Sequence, residues 1–232
     1  MPKFRWFVMF ANMRTGSNFL EANLNAMTGV ECLGELFNPH FVGYPNTTDV
    51  LGYDQTRRDQ EPHGLLTAVR EYTDALAGFR YFPDHDARIF DDIIADESCA
   101  KIVLTRNPIE SYVSWKIAQA TGQWKLTDAK ARKDAKAQFD KAEFEEHLTD
   151  LQAYQVKIMN GLQAAGQTAF YIDYDDLQDL SVINGLAKYL GAPEGLEKLD
   201  RSLKVQNPKS TEDKVSNVDE MRAALASLDR FN

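Results

Sequence analysis

The sequence has little cysteine, no excess of positive charge and no long apolar run. Its two cysteines, Cys32 and Cys99, lie far apart and match no metal-binding spacing, so we expect buried thiols in a reducing compartment. The net charge of −9 argues against a nucleic-acid partner, whose binding surface would be basic, but leaves room for a local anion pocket. No stretch is apolar enough to cross a bilayer, and residues 1–16 lack a signal-peptide pattern, so we expect a cytoplasmic protein.

The order of the patterns predicts an α/β fold. With 232 residues, 44% of them hydrophobic and 26% charged, the chain is long enough for a sizeable core. Apolar strand patterns alternate with helical periodicities, which favours a central parallel sheet flanked by helices. Because the sequence contains no repeats and no low-complexity linker, we predict a single domain over residues 1–232.

The individual elements follow from periodicity and from glycine and proline stops. Strands are predicted at Phe4–Ala11, Phe79–Phe82, Ala100–Pro108 and Thr168–Leu177. Helices are predicted at Ser17–Met27, Leu65–Ala77, Ile109–Ala120, Phe144–Leu162, Val182–Leu190 and Val218–Leu228, with a helix and turn in residues 84–98. The aromatic, turn-rich stretch Gly34–Asp54 is predicted to be an ordered surface loop. Lys125–Lys141, which has no apolar stripe, is predicted to be a solvated helix or a mobile segment.

The stretch "VMFANMRTGSNFLEANL", residues 8–24, runs from a strand into a helix through a loop that resembles a phosphate-binding loop. It lacks the lysine and hydroxyl pair of G-x-x-x-x-G-K-[ST] and carries an arginine early instead. Free N–H groups at the start of the helix would face an anion, and the helix dipole would help to bind it. The alternative is a plain turn in which a polar side chain caps the helix. The candidate anion ligands are Arg14, Thr15, Gly16, Ser17 and Asn18.

The end of a second predicted strand also carries candidate anion ligands. Arg106 follows "KIVLT", and Ser114 lies one to two turns into the next helix, so the two side chains could clamp a further phosphate. The alternative is a surface Arg106 paired with Glu110. Two anion-binding strand ends in one parallel sheet suggest a ligand with two separated phosphate-like groups.

Together these two stretches resemble the cofactor signatures of the sulfotransferases that use 3′-phosphoadenosine 5′-phosphosulfate (PAPS). "MRTGSNFL" is similar to the family's loop for the 5′-phosphosulfate, and "KIVLTRNPIESYVSW" to its clamp for the 3′-phosphate. "GELFNP", "GFRYFPDH" and "YIDYDDL" fit the bacterial branch that includes nodulation-factor and trehalose sulfotransferases. The resemblance implies a P-loop-like architecture, PAPS as donor, adenosine 3′,5′-bisphosphate (PAP) as product, and no metal.

The resemblance also implies roles for individual residues in donor binding. Arg14, where the family more often has lysine, would stabilise the charge on the leaving phosphate. Tyr174 would lie near the adenine, although it could equally be core packing. The glycine-rich 3′-phosphate loop of the eukaryotic enzymes has no clear match, and Lys209 is the candidate for that role.

On the acceptor side, Glu35 is the first candidate for the general base and His85 the second. Either residue could be structural instead, Glu35 as a turn cap. Arg80 is predicted to contact the sulfate or an acidic acceptor, or to pair with a nearby aspartate. Trp115, with Lys116 beside it, is predicted to face the acceptor cleft, with core packing as the alternative.

Other functions stay open at this point. A P-loop kinase would use ATP and magnesium, but Arg106 stands where an aspartate that holds the metal would be expected. A non-catalytic nucleotide-binding protein is the other alternative. The acceptor is expected to be a carbohydrate, a glycolipid or a small alcohol. The long helix over Phe144–Leu162 would serve either the core or a homodimer.

Overall fold

The computed structural model describes residues 4–123, 133, 135–203 and 210–228. It contains a five-stranded sheet in the order β2-β3-β1-β4-β5, and every neighbouring pair of strands is parallel. This confirms the predicted α/β class with a central parallel sheet flanked by helices. The strands are β1 Trp6–Phe10, β2 Val30–Cys32, β3 Leu76–Tyr81, β4 Cys99–Thr105 and β5 Phe170–Asp173.

Helices connect and follow the strands. They are α1 Ser17–Asn25, α2 Gln55–Gln60, α3 Pro62–Arg70, α4 Phe90–Ala95, α5 Pro108–Thr121, α6 Lys141–Ala164, α7 Leu180–Leu190 and α8 Val218–Leu228. Short 3₁₀ turns cover Ala87–Ile89, Asp175–Gln178 and Glu212–Lys214. Pro108 is the first residue of α5, where its missing N–H leaves no hydrogen bond unmade.

The chain divides into two compact units. The first consists of Met1–Thr105 with Val156–Asp200, and the second of Arg106–Gln155 with Arg201–Asn232. The expectation of a single domain over residues 1–232 stays a prediction.

In the first unit both faces of the sheet are covered. All five residues of β1 are buried, as expected for a central strand that reads as a continuous apolar run. On one face, Phe7 and Met9 belong to a core cluster with apolar side chains of α1 and α7. On the other face, Trp6 stacks on Phe79 of β3, with ring centroids 6.0 Å apart, and Phe37 from the loop after β2 packs on Phe79 at 5.2 Å. This burial fixes the strand, so the loop that follows β1 emerges at a defined point of the sheet edge.

The second unit has its own cluster around α5 and α8. Tyr112 is fully buried and packs on Phe139 and Phe144, with centroids 5.8 and 5.3 Å away. Ala137 is also buried, so the expectation that Lys125–Lys141 is wholly solvated or mobile is wrong for its last part. These small and aromatic side chains do not form a helical stripe, and their burial depends on contacts that the local pattern does not show. Residues 124–132 and 134 of that stretch lie outside the described residues.

One predicted helix has different bounds, and two elements and the burial of a loop interior were not predicted. The helix predicted at Leu65–Ala77 begins at Pro62 and ends at Arg70, because the chain must extend again for Leu76 to pair with Val30 of β2. Neither β2 nor α2 was predicted from the local pattern. The loop Gly34–Asp54 is ordered, but its interior side chains, among them Leu36 and Phe37, are buried rather than exposed.

Candidate active site

The loop between β1 and α1 contains two residues in left-handed backbone conformations. Gly16, the N-cap of α1, has φ 90° and ψ 13°, and Arg14 has φ 66°. A positive φ is uncommon for a residue with a side chain and stores strain that the surrounding structure must offset. Strain of this kind is typical of binding loops, and here it falls on the predicted cation.

Gly16 also permits a close approach of the loop to the chain after β5. A Cβ atom at Gly16 would lie 2.6 Å from Leu177 Cδ1 and 2.9 Å from Tyr174 Cδ2. Tyr174 is held in place by its own N–H, which donates to Thr105 O at the end of β4 (2.9 Å). The structure therefore places Tyr174 directly against the loop, at the carboxyl edge of the sheet.

Side-chain contacts of the loop leave hydrogen-bond donors available to a ligand. Arg80 Nη1 donates to Ser17 Oγ (3.3 Å) and to Asn18 Oδ1 (3.1 Å). Since the guanidinium engages the acceptor oxygens of both groups, the serine hydroxyl and the asparagine amide keep their own hydrogens for another acceptor. Thr15 differs, because its hydroxyl donates to Asn12 O (2.7 Å). Within the described part of the chain, no backbone acceptor takes the N–H of Gly16, Ser17 or Asn18, as expected for an open first helical turn.

Arg80, on β3, is buried between two carboxylates. Its Nε lies 2.6 Å from Glu21 Oε2 of α1, an ion pair whose N–H is not aligned on the oxygen. Its Nη1 lies 3.2 Å from Glu35 Oε1. The alternative pairing with Asp84 or Asp86 does not occur in the structure. A single guanidinium therefore joins the loop after β1 to the first candidate base.

Glu35 is surrounded by groups that favour its charged form. Asn38 Nδ2 donates to Oε2 (2.7 Å), and His85 Nε2 lies 3.5 Å from the same oxygen, which is long for a hydrogen bond. Burial raises the pKa of the carboxyl group, but the His85 ring, the charge of Arg80 and the Asn38 amide together outweigh it and leave the pKa below its ordinary value. Glu35 is therefore a carboxylate at neutral pH.

His85 lies behind Glu35. Its side chain is 0% exposed, whereas that of Glu35 is 14% exposed. Rings of Tyr81 and Phe82 pack against it, and its Nδ1 has no hydrogen-bond partner among the described residues. Only Glu35 of the two candidate bases can be reached from outside.

The second signature lies in the second unit. Arg106 pairs with Glu110 (3.2 Å), but its side chain is only 11% exposed and is not the surface arginine of the alternative interpretation. Ser114 is buried on α5. Trp115 stacks on His147, with centroids 6.2 Å apart and planes 13° apart. Trp115 thus makes an aromatic contact within its own unit, and its place in the acceptor cleft stays a prediction.

Lys209 is predicted from the sequence as a ligand of the 3′-phosphate, and sequence reasoning missed a second candidate for that role. Lys209 lies outside the described residues. Lys214, five positions later in the same polar stretch, ends the 3₁₀ turn Glu212–Lys214. Burial lowers the pKa of Lys214, and the charge of Arg106 lowers it further, so Lys214 is electrostatically coupled to Arg106.

Sequence reasoning also missed Glu21 and Asn38, although each had a signal. Glu21 lies four residues after Ser17 and therefore on the same face of α1. Asn38 follows Glu35 by three residues, within reach of a turn contact, and Asn38 N–H donates to Glu35 O (3.4 Å). Both residues complete the polar cluster around Arg80 and Glu35.

The described residues contain neither a candidate metal cluster nor a candidate membrane span. Residues 4–123, 133, 135–203 and 210–228 contain no group of three or more His, Cys, Asp and Glu side chains that could hold a metal ion. No helix in the same ranges combines the length and the apolar character that a membrane span requires.

Comparisons with known proteins place these motifs in context. No family model matches the chain. Nodulation protein H of Rhizobium tropici is 24% identical over 197 residues, which cover 83% of this chain and 78% of that protein. The crystal structure of a sulfotransferase from Alicyclobacillus acidocaldarius aligns with 98% of this chain and 95% of its own, at 12% identity and a TM-score of 0.49. The similarity to a nodulation protein over most of both chains supports the resemblance of the two motifs to the bacterial branch of the PAPS-dependent sulfotransferase family.

Proposed function

We propose that the protein transfers a sulfuryl group from PAPS to a hydroxyl of a carbohydrate, a glycolipid or a small alcohol by in-line displacement. One observation carries the proposal: Arg80 contacts Ser17 and Asn18 of the predicted donor loop and Glu35, the predicted base, with the same Nη1 atom. A loop that binds the reacting group and a base for the acceptor must be adjacent in such an enzyme, because the two substrates react directly.

The donor loop supplies charge stabilisation. PAPS provides a sulfuryl group on a phosphate leaving group, and its transfer resembles phosphoryl transfer, in which charge builds on the bridging oxygen. Arg14 stays protonated at any physiological pH and would neutralise that charge. The N–H groups of Gly16, Ser17 and Asn18 and the dipole of α1 would act on the same oxygens.

Glu35 is the proposed general base. It is ionised and partly exposed, so it can accept the proton of an acceptor hydroxyl. The buried His85 would help to keep the Glu35 carboxylate charged. The lowered pKa of Glu35 makes it a weak base. A weak base suffices where the transition state is loose and little proton transfer has occurred when the bond to sulfur breaks.

Donor recognition would use the remaining predicted residues. Tyr174 would contact the adenine, and the second signature, Arg106 with Ser114, would bind the 3′-phosphate. Lys209 is the predicted third ligand, and Lys214, coupled to Arg106, is a further candidate for that role. Four other expectations stay predictions: that Arg80 and Trp115 contact the acceptor, that the protein is cytoplasmic, that it forms a homodimer, and that it has no nucleic-acid partner.

The test is a transfer assay with ³⁵S-labelled PAPS and a panel of oligosaccharides, glycolipids and small alcohols. We expect labelled product from the wild-type protein, and a rate about 10²–10⁴-fold lower in Glu35→Gln with PAP affinity retained. Glu31→Gln is the matched control, because Glu31 lies on β2 and pairs with Tyr72 rather than with Arg80. Transfer at the wild-type rate in Glu35→Gln would remove Glu35 as the base, and phosphate transfer from ATP with magnesium would favour a kinase.

A further inference from the structure

The segment that carries Glu35 is an irregular loop whose two ends are joined by backbone hydrogen bonds. Glu35 N–H donates to Gly43 O (2.8 Å), and Gly43 N–H donates back to Glu35 O (3.1 Å). Between these residues, which we call the 35–43 loop, the structure assigns no helix or strand. Buried backbone carbonyls in such a loop must find partners outside it.

Helix α2 supplies those partners. Arg58, 1% exposed, donates from Nη1 to Leu36 O (2.6 Å) and to Phe41 O (3.3 Å), and from Nη2 to Asn38 O (2.8 Å). Gln55 Nε2 donates to Pro39 O (2.9 Å). Arg58 therefore lies at the centre of the 35–43 loop.

A buried guanidinium is costly unless all of its donors are engaged. Arg58 engages all three of its nitrogens and four of its five N–H groups, with three carbonyls on one side and with Asp59, whose Oδ1 accepts from Nε at 2.7 Å. The fixed, planar fork of arginine suits acceptors that converge from different residues, and a lysine could not reproduce it. Arg58 therefore holds the backbone of the 35–43 loop in one arrangement.

A short chain of contacts leads from Arg58 to Glu35. The carbonyl of Asn38 is fixed by Arg58, and the side-chain oxygen of Asn38 accepts from His40 N–H (2.9 Å). The amide nitrogen of Asn38 is thereby directed to Glu35 Oε2 (2.7 Å). A shift of the Asn38 backbone would break or lengthen this last bond.

We propose that Arg58 is a positioning residue for Glu35, acting through Asn38 to orient the carboxylate that would receive the acceptor proton. The proposal rests on the proposed function for the role of Glu35. Arg58 itself touches neither the donor loop nor the carboxylate, so its loss should disturb the base and leave donor binding intact. The other ionisable groups around Glu35 are Arg80 from β3, His85 from the following turn, Glu21 from α1 and Cys32 from β2.

The test compares Arg58→Lys with Arg57→Lys. Both variants keep the charge, but Arg57 is an exposed residue of the same helix that pairs with Glu61. The first readout is the titration of the Glu35 carboxyl carbon by ¹³C NMR, assigned with Glu35→Gln, and the second is PAP affinity by calorimetry. In Arg58→Lys we expect the Glu35 titration to move to higher pH with PAP affinity unchanged. Where transfer is measured, kcat should fall by up to about 10²-fold at unchanged KM for the donor. In Arg57→Lys neither readout changes.

A folded Arg58→Lys protein whose Glu35 titration matches the wild type would overturn the proposal. If Arg58→Lys does not fold, Asn38→Ala carries the test, because it removes the amide that contacts Glu35, together with the acceptor of His40 N–H, and keeps Arg58. An unshifted titration there has the same meaning. The NMR readout needs no acceptor and no donor. A wild-type protein that binds no PAP would therefore count against the proposed function, while the titration would still report the action of Arg58 on Glu35.

Discussion

Replacement of Gly16 by alanine tests the packing of the donor loop. The backbone at Gly16 has φ 90°, a conformation that costs a residue with a Cβ about 1–2 kcal/mol. The added Cβ would also lie 2.6 Å from Leu177 Cδ1, and such overpacking typically costs about 1–3 kcal/mol. We therefore expect Gly16→Ala to lower the free energy of unfolding by about 2–5 kcal/mol in total.

Gly191, at the end of α7, provides the control. It has φ 80°, but a Cβ there would meet no atom within 4 Å. Gly191→Ala should therefore show the backbone cost alone, and the entropy that alanine removes from the unfolded chain is the same in both variants. The decrease in the free energy of unfolding should be about 1–3 kcal/mol larger in Gly16→Ala than in Gly191→Ala, and this difference measures the cost of the steric contact.

The assay is urea unfolding of the two variants and the wild type, with free energies from linear extrapolation. PAP affinity is measured on the folded proteins at low denaturant. We expect Gly16→Ala, but not Gly191→Ala, to weaken PAP binding, because the Cβ would displace the loop from Tyr174. Equal losses of stability in the two variants would refute the close packing of Gly16 on Tyr174 and Leu177.

Three more predictions follow from the buried polar groups. Arg80→Gln leaves the buried Glu21 and the partly exposed Glu35 without their cation and should lower the free energy of unfolding by about 3–5 kcal/mol; a urea experiment that shows less than about 1 kcal/mol, as for an exposed pair, would contradict this. Because the folded-state pKa of Glu35 is lowered, its contribution to stability is present above the unfolded pKa and is lost as the pH falls through the folded one. Unfolding free energies measured from pH 7 downward should therefore fall more steeply in the wild type than in Glu35→Gln. Parallel curves of unfolding free energy against pH would contradict this contribution of Glu35. Burial raises the pKa of both cysteine thiols, so Cys32 and Cys99 should react with a thiol reagent only after unfolding; rapid reaction of the native protein would show that they are accessible.

Central strands and long helices could be predicted from the sequence because their patterns are local. β1 and β4 are continuous apolar runs, and each is buried along nearly its whole length. The repeat of apolar residues from Phe144 to Leu162 lies within α6. Charged residues were harder to place, since Arg57 and Arg58 are adjacent and identical in sequence, yet one is exposed and the other fully buried.

The candidate site could be predicted in part for the same reason. Arg14, Gly16 and Tyr174 belong to local motifs, and the structure brings Gly16 and Tyr174 together. The pairing of Arg80 with Glu21 and Glu35 depends on how α1 and the 35–43 loop pack on β3, which no local pattern contains. β2 has only three residues and owes its existence to pairing with β3, so its sequence alone was too short to predict it.

The central claim is that this chain binds an adenosine bisphosphate donor through its two strand-end signatures. Calorimetric titration of the purified protein with PAP, with ATP plus magnesium as the comparison, tests it most directly. We expect tight PAP binding, weakened by Arg14→Ala and by Arg106→Ala and unaffected by Arg57→Ala. Preference for ATP with magnesium, or binding of neither nucleotide, would contradict the account.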